Sequence, residues 1–173
     1  MDRRPASPEE ARALANPLRL RILRLCLDRE LTNEELATRL GKDAGSLLHH
    51  VRLLVKTGFL APGEERRGAR GSVERPYRAT RKSWTLDVSD EEAAHSGAPD
   101  RGSLALVDAF RAELAEVAAD AIVSTVRLGV RLTPGQAKDF ADRVQVLVNE
   151  LVAADDPAGE PHGFFLGMHR AAD

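Results

Sequence analysis

The sequence predicts a mainly α-helical fold with one small β-hairpin, arranged as a compact N-terminal unit and a C-terminal helical region. Three observations predict it. Residues 32–57 read as two short helices joined by a tight turn. Residues 59–80 read as two strands around a tip rich in glycine and arginine. Residues 103–153 carry two long amphipathic stripes.

The elements follow in order. Ser7-Pro8-Glu9-Glu10 has capping-box spacing with proline at the first helical position, which predicts a short helix over 8–15. Asn16-Pro17 interrupts it, because proline disfavours helix at the residue before it. Pro17 can open the next helix, about 17–28, with Leu18, Ile22, Leu25 and Cys26 on one face. Leu20, Leu23 and Leu27 widen that face, so this helix should pack on more than one side.

Thr32 and Glu35 form a second capping box. The helix it opens buries Leu36, Ala37 and Leu40, and Gly41 stands at its C-cap. After the turn, a helix over about 44–57 places Leu47, Val51, Leu54 and Val55 inward at i, i+4, i+7 and i+8. Ser46, His49, Arg52 and Lys56 lie on the opposite face, and Gly58 ends the helix.

Phe59-Leu60-Ala61 and Val73 to Thr80 then read as strands, with the tip at 63–71 between them. Pro76 assigns the second strand to a sheet edge. A helix-turn-helix followed by a β-hairpin is a winged helix. Trp84-Thr85-Leu86 adds a short extended segment, and Ser89-Asp90-Glu91-Glu92 is a further capping box with little helix after it. His95 to Gly102 reads as linker.

A long helix over about 103–128 carries Val107, Phe110, Leu114, Val117, Ala121 and Leu128 as its stripe. Thr133-Pro134-Gly135-Gln136 caps a further helix, about 134–153. The tail GFFLGMH, residues 163–169, reads as a short strand. The expected organisation is a winged helix over 1–86, a linker over 87–102, and a helical region for dimerisation over 103–173, with room for an effector.

Charge separates the two halves more sharply than the net value of −2 suggests. Residues 1–85 hold 18 Lys or Arg against 11 Asp or Glu, and residues 86–173 hold 7 against 16. A basic first half joined to an acidic second half points to a polyanion partner for the first half alone. The single cysteine, Cys26, excludes an intrachain disulfide and any Cys-x-x-Cys site. It reads as a core residue of its helix rather than a sensor thiol. His162 and His169 near the C-terminus read as surface residues rather than metal ligands. No apolar run is long enough to span a membrane and the N-terminus has no signal-peptide character, so a cytoplasmic location is expected. The bias of 21 Arg to 4 Lys, with abundant alanine, suits a GC-rich bacterial genome.

A helix that buries one face and presents Ser46, His49, His50, Arg52 and Lys56 near the other is the form that enters a DNA major groove. Each of these side chains could equally be a solvated surface residue, and His50 a packing residue against helix 32–40. Arg66, Arg67 and Arg70 at the wing tip suit phosphate or minor-groove contact, because the guanidinium fork binds phosphate at two points. The hydrolase, zinc-protease and P-loop motifs G-x-S-x-G, H-E-x-x-H and G-x-x-x-x-G-K are lacking, so no enzyme, cofactor or metal is expected.

Three segments together resemble the ArsR-type winged-helix regulators of bacteria: Ala13 to Leu23, Leu36-Ala37-x-x-Leu40-Gly41, and His49-His50-Val51-Arg52-x-Leu54 through Gly58-Phe59-Leu60. Pro76 to Thr80 resembles the second wing strand of that family. The resemblance covers residues 10–85, about half of the chain. It implies a homodimeric regulator of transcription, most simply a repressor, reading a pseudo-palindromic operator in double-stranded DNA with helix 44–57 and the wing 62–72. It also implies that the stripe Val107, Phe110, Leu114, Val117 and Ala121 serves dimerisation. The chain departs from the metal-sensing members, since residues 28–36 hold no Cys or His and residues 103–128 hold no His. Leu48 stands where the family often has a small polar residue, and the chain extends past 130 beyond a minimal member. Two other readings remain open: a regulator gated by a small apolar effector in the C-terminal half, and a winged helix that docks protein instead of DNA.

Overall fold

A computed structural model describes residues 3–67, 73–87, 100–156 and 158–170. Two of the features read from sequence, Arg70 at the wing tip and the capping box at Ser89, lie outside the described residues, as does His95.

The elements run β1 (Arg4–Pro5), α1 (Pro8–Leu14), α2 (Pro17–Leu25), β2 (Leu31–Thr32), α3 (Asn33–Leu40), α4 (Ala44–Lys56), β3 (Leu60–Pro62), β4 (Arg66–Arg67), β5 (Val73–Glu74), β6 (Pro76–Ala79) and β7 (Leu86–Asp87). Helices α5 (Arg101–Leu114) and α6 (Pro134–Ala153) follow. The chain divides into two compact units. One runs from Asp2 to Ala115 and takes in the tail from Gly163, and the other is Glu116–His162.

The capping signals act where the sequence places them. Ser7 and Glu10 close a reciprocal capping box at α1, Thr32 and Glu35 at α3, and Thr133 and Gln136 at α6. Each box satisfies backbone N–H groups that have no partner inside the helix. Asn16 caps α2 through Arg19 N at 3.1 Å, and Asp43 caps α4 through Ser46 N at 2.7 Å. Gly41 (φ 60°) and Gly58 (φ 74°) take the left-handed conformation after α3 and α4, which side chains with a Cβ adopt at a cost.

The first unit closes one core. Ile22 and Cys26 from α2, Leu36 from α3, Leu47, Val51 and Leu54 from α4, and Phe59 and Leu60 after it are all but fully buried. Helix α2 lies against α1, α4, α5 and β6, as its wide apolar face requires. Its buried members are Ile22, Leu23 and Cys26, while Leu18 and Leu25 are only half-buried. Cys26 O accepts from Ala79 N at 2.9 Å, which ties the end of α2 to the sheet. Burial pushes the Cys26 thiol up to about 12, so it stays protonated at neutral pH.

The sheet corrects one expectation. Strand β6, which begins at Pro76, is central in the order β2-β6-β3 and not at an edge. Leu31 pairs with Tyr77 on one side, and Leu60, Ala61 and Pro62 pair with Ala79, Arg78 and Tyr77 on the other. Proline is tolerated there because it is the first residue of the strand, and its carbonyl still accepts from Gly63 N at 2.8 Å. Arg66 and Arg67 pair with Glu74 and Val73 to form the wing hairpin beyond this sheet. Residues 84–86 are not one extended segment: Lys82–Thr85 is a turn of 3₁₀-helix, and only Leu86–Asp87 is strand, parallel to β1.

The helical region differs from the sequence reading in two places. The helix expected over 103–128 ends at Leu114, and only a short 3₁₀ turn at Ala119–Ala121 follows before Thr133. The β-branched residues Ile122, Val123, Thr125 and Val126 lie beyond that end, in the irregular run. Val117 and Ala121 therefore do not continue the α-helical stripe of Val107, Phe110 and Leu114. The tail 163–169 forms no strand among the described residues. It is anchored instead by Phe165, whose ring stacks on Phe110 at 5.4 Å.

Helix α5 buries Ala105 and Ala109 against α1 and α2 and leaves Val107 exposed, with Phe110 and Leu114 half-buried. In the second unit no described residue is buried. Helix α6 matches the expected 134–153 and displays Phe140, Leu147 and Leu151 at 44%, 58% and 58% exposure. Among the described residues no helix is long and apolar enough to cross a membrane.

Candidate nucleic-acid interface

Helix α4 is held by its inner face. Leu47, Val51 and Leu54 are buried against α2 and α3, so the opposite face is fixed in space. Gly45, His49, Arg52 and Lys56 recur at steps of 4, 3 and 4, and all four are exposed, with Ser46 beside them. That periodicity lines one side of a helix. The turn before it is fixed by the Asn33 side-chain amide, which donates to Ala44 O at 2.8 Å. Ser46 donates its hydroxyl to Asp43 O at 2.8 Å, leaving its oxygen lone pairs outward as acceptors.

His49 and His50 have different surroundings although their rings lie 3.8 Å apart. His49 is exposed, whereas His50 is half-buried with Nδ1 3.3 Å from Arg19 Nη1. A guanidinium can only donate, so Nδ1 accepts and the ring proton sits on Nε2. Burial first, then His49 and Arg19, hold the His50 pKa below its ordinary value, and the ring is neutral at pH 7. Arg19 of α2 is thus one contact that packs His50. Arg19 also donates from Nε to Ala13 O at 2.5 Å and from Nη2 to Arg12 O at 2.6 Å. Those carbonyls end α1 and have no helical partner, so Arg19 caps α1 and touches α4 with one side chain.

The remaining cations lie on or near the wing. Lys56 Nζ is 2.6 Å from Glu9 Oε1 of α1. Arg66 Nη2 is 3.0 Å from both carboxylate oxygens of Glu35. Arg67 is exposed, and Arg75 pairs with Glu65 across the base of the hairpin. Arg52, Val55, Lys56, Pro62, Arg75 and Tyr77 line a cleft of about 360 Å³ between α4 and the wing. A second hollow, about 650 Å³, is lined by Glu30, Glu64, Glu65 and Arg66 with Pro62, Gly63 and Pro76. Its carboxylates disfavour a polyanion, whereas the cleft presents three cations to one.

An ion cluster centred on the buried Glu10 lies at the N-terminus of the unit. Glu10 receives Arg4 Nη1 at 2.9 Å, Arg4 Nη2 at 2.7 Å and Ser7 N at 2.8 Å, and Lys82 Nζ stands 2.7 Å away. These partners hold its carboxyl far below the usual carboxylate range. Lys82 also donates to Thr57 O at 2.7 Å and lies over the Phe59 ring. Arg4 at the N-terminus and Lys82 after β6 thus share one carboxylate, and Lys82 carries the link on to the end of α4. No sequence pattern flags this cluster, because its members are up to 78 positions apart in the chain.

Of the DNA-contact residues expected from sequence, the structure brings Ser46, His49, Arg52 and Lys56 onto one exposed face and turns His50 partly inward. Arg66 and Arg67 stand on β4. Arg75, in the cleft, was not singled out by the sequence, because the alternation of strand 73–80 gives it no distinguishing signal.

A family comparison agrees with the helix-turn-helix part of this architecture. A helix-turn-helix domain family matches residues 14–62. Reduced HlyU from Vibrio cholerae N16961 is 30% identical over 42% of this chain and 70% of that chain, with a TM-score of 0.34. The adhesin competence repressor AdcR from Streptococcus pyogenes is 19% identical over 79% of this chain and 81% of that chain, with a TM-score of 0.33. Among curated proteins the comparison finds no match. The matched helices, with the hairpin that follows them, give the first unit the architecture of a winged helix-turn-helix domain.

Proposed function

We propose that the protein is a homodimeric, sequence-specific transcription regulator, acting as a repressor on a pseudo-palindromic operator. The observation that carries this reading is the exposed row of Ser46, His49, Arg52 and Lys56 on a helix whose other face is locked in the core. Helix α4 enters the major groove, where His49 and Arg52 reach base edges or flanking phosphates. Arg66 and Arg67 follow the adjoining backbone, and their contacts add affinity without sequence. Repression needs no further chemistry, since a dimer seated on a promoter excludes polymerase.

Dimerisation falls to the C-terminal part, which displays apolar side chains of the size and number that an interface core uses. Val107, Phe110, Leu114, Val117 and Ala121 are its expected contributors, and the exposed α6 row Phe140, Leu147 and Leu151 is a separate apolar surface for it. The concentration of basic residues in the first half supports the DNA reading over a protein-docking one.

The test is a titration of the full chain against the DNA upstream of its own gene and against a random duplex, at low and moderate salt. Selective binding that weakens steeply with salt is expected. Equal, weak binding to both duplexes would favour the protein-docking reading.

A further inference from the structure

The cations that face the cleft between α4 and the wing are not idle in the free protein. Lys56 is held by Glu9 at 2.6 Å, and Arg75 is held by Glu65. Both carboxylates come from outside α4: Glu9 from the first turn of α1, and Glu65 from the strand-to-wing segment. The hairpin register, Arg66 with Glu74, places Glu65 opposite Arg75. Arg52 lies in the same cleft and has no carboxylate partner among the described residues. Val55, Pro62 and Tyr77 supply an apolar floor.

We propose that this cleft is a binding site for a phosphodiester of the DNA backbone, and that Glu9 and Glu65 are stand-ins that occupy its cations until DNA displaces them. The proposal rests on the DNA-binding reading above and assigns Arg75, Glu9 and Glu65 a part in it. Three cations around one cleft suit adjacent backbone phosphodiesters, each with one charge and two non-bridging acceptor oxygens. Both ion pairs are exposed on each side, so they are weak and exchange readily for a phosphate. A weak, isolated anion gains little by displacing them. A duplex, which presents phosphates to Lys56, Arg75 and Arg52 together, displaces both at once. The carboxylates therefore lower binding to stray anions and to poorly fitting DNA more than binding to a duplex seated on α4.

The test uses the full chain and a random duplex, read by fluorescence anisotropy, with thermal unfolding as the check that each variant folds. Glu65→Gln and Glu9→Gln should each tighten random-duplex binding by about two- to fivefold, the range that an exposed ion pair covers. Arg75→Ala should weaken binding and lower the slope of log affinity against log salt by about one. In the Arg75→Ala background, Glu65→Gln should change nothing, because its partner is gone. Glu64→Gln removes the same charge beside Glu65 from a residue without an ion pair among the described residues, and should have the smaller effect.

Unchanged affinity in both single Gln variants, an equal gain from Glu64→Gln, or a gain that persists without Arg75 would each overturn the proposal while leaving DNA binding intact. A wild-type chain with no salt-dependent DNA binding would overturn the underlying reading as well.

Discussion

In the winged-helix unit Leu36, Leu47, Leu54 and Phe59 are sealed from solvent, whereas between Glu116 and His162 Val126, Leu128, Leu147 and Leu151 each keep more than half of their surface exposed. Both regions are rich in the same aliphatic residues. The first closes a core within one chain, with strands and helices from along its length meeting around α2. The second holds one long helix and an irregular run, which together cannot enclose each other. Burial of a large aliphatic side chain contributes about 1.5–3 kcal/mol, so an apolar face left open is a strong drive toward a partner surface. The contrast separates a part that folds to present a fixed surface from a part whose apolar face stays open within one chain.

The largest expected effect comes from the closed core. Leu54→Ala should cost about 3–5 kcal/mol in denaturant unfolding, since the cavity beneath α4 cannot collapse against a packed α2. Leu147→Ala should cost less than about 1 kcal/mol in a dilute monomer. If the two cost the same at every protein concentration, the contrast between the regions is wrong.

The next effect concerns DNA. Arg52→Ala or His49→Ala should weaken binding to the specific site by about 1–3 kcal/mol while weakening random-duplex binding less, if their contacts are to base edges. Competition titrations with both duplexes read this directly. Arg67→Ala should weaken both duplexes alike.

Glu10 should give an effect of similar size on stability. Glu10→Gln leaves Arg4 and Lys82 without their carboxylate and should cost about 2 kcal/mol. The folded-state pKa of Glu10 lies below its ordinary value of 4.5. Its contribution is therefore fully present above the unfolded value and fades as pH falls below about 4.5 toward the depressed folded value. Unfolding curves from pH 7 down to pH 3 should converge for wild type and Glu10→Gln, and parallel curves would contradict the assignment.

The smallest change in monomer stability, with a clear change in mass, is expected from Leu147→Asp. A charge on the exposed face of α6 should leave the unfolding of the winged-helix unit unaltered and shift sedimentation from dimer to monomer. An unchanged dimer would move the interface away from α6.

Much of this was legible in local sequence. The capping boxes at Ser7, Thr32 and Thr133 mark the start of α1, α3 and α6, because the chemistry of a helix start lies within four residues. The buried row of α4 follows from its periodicity, and so does its exposed row. Features that depend on distant partners were not legible. Strand β2 is two residues long and carries no pattern of its own, yet it makes β6 a central strand. His50 shares the sequence context of His49, and its burial beside Arg19, 31 positions earlier, sets them apart. The carboxylates on Lys56 and Arg66 likewise come from helices far back in the chain. The end of α5 was missed for a different reason: the apolar stripe runs on past Leu114, and no glycine, proline or other local stop signal marks the end there.

The most direct test of the central claim, that the fixed outer face of α4 reads DNA, is the ratio of specific to random-duplex affinity for wild type and for the His49→Ala, Arg52→Ala double variant at one salt concentration. The account predicts a high ratio for wild type that collapses toward one in the variant, with random-duplex binding reduced far less. A ratio that survives the double substitution, or a wild type without selectivity, would contradict it.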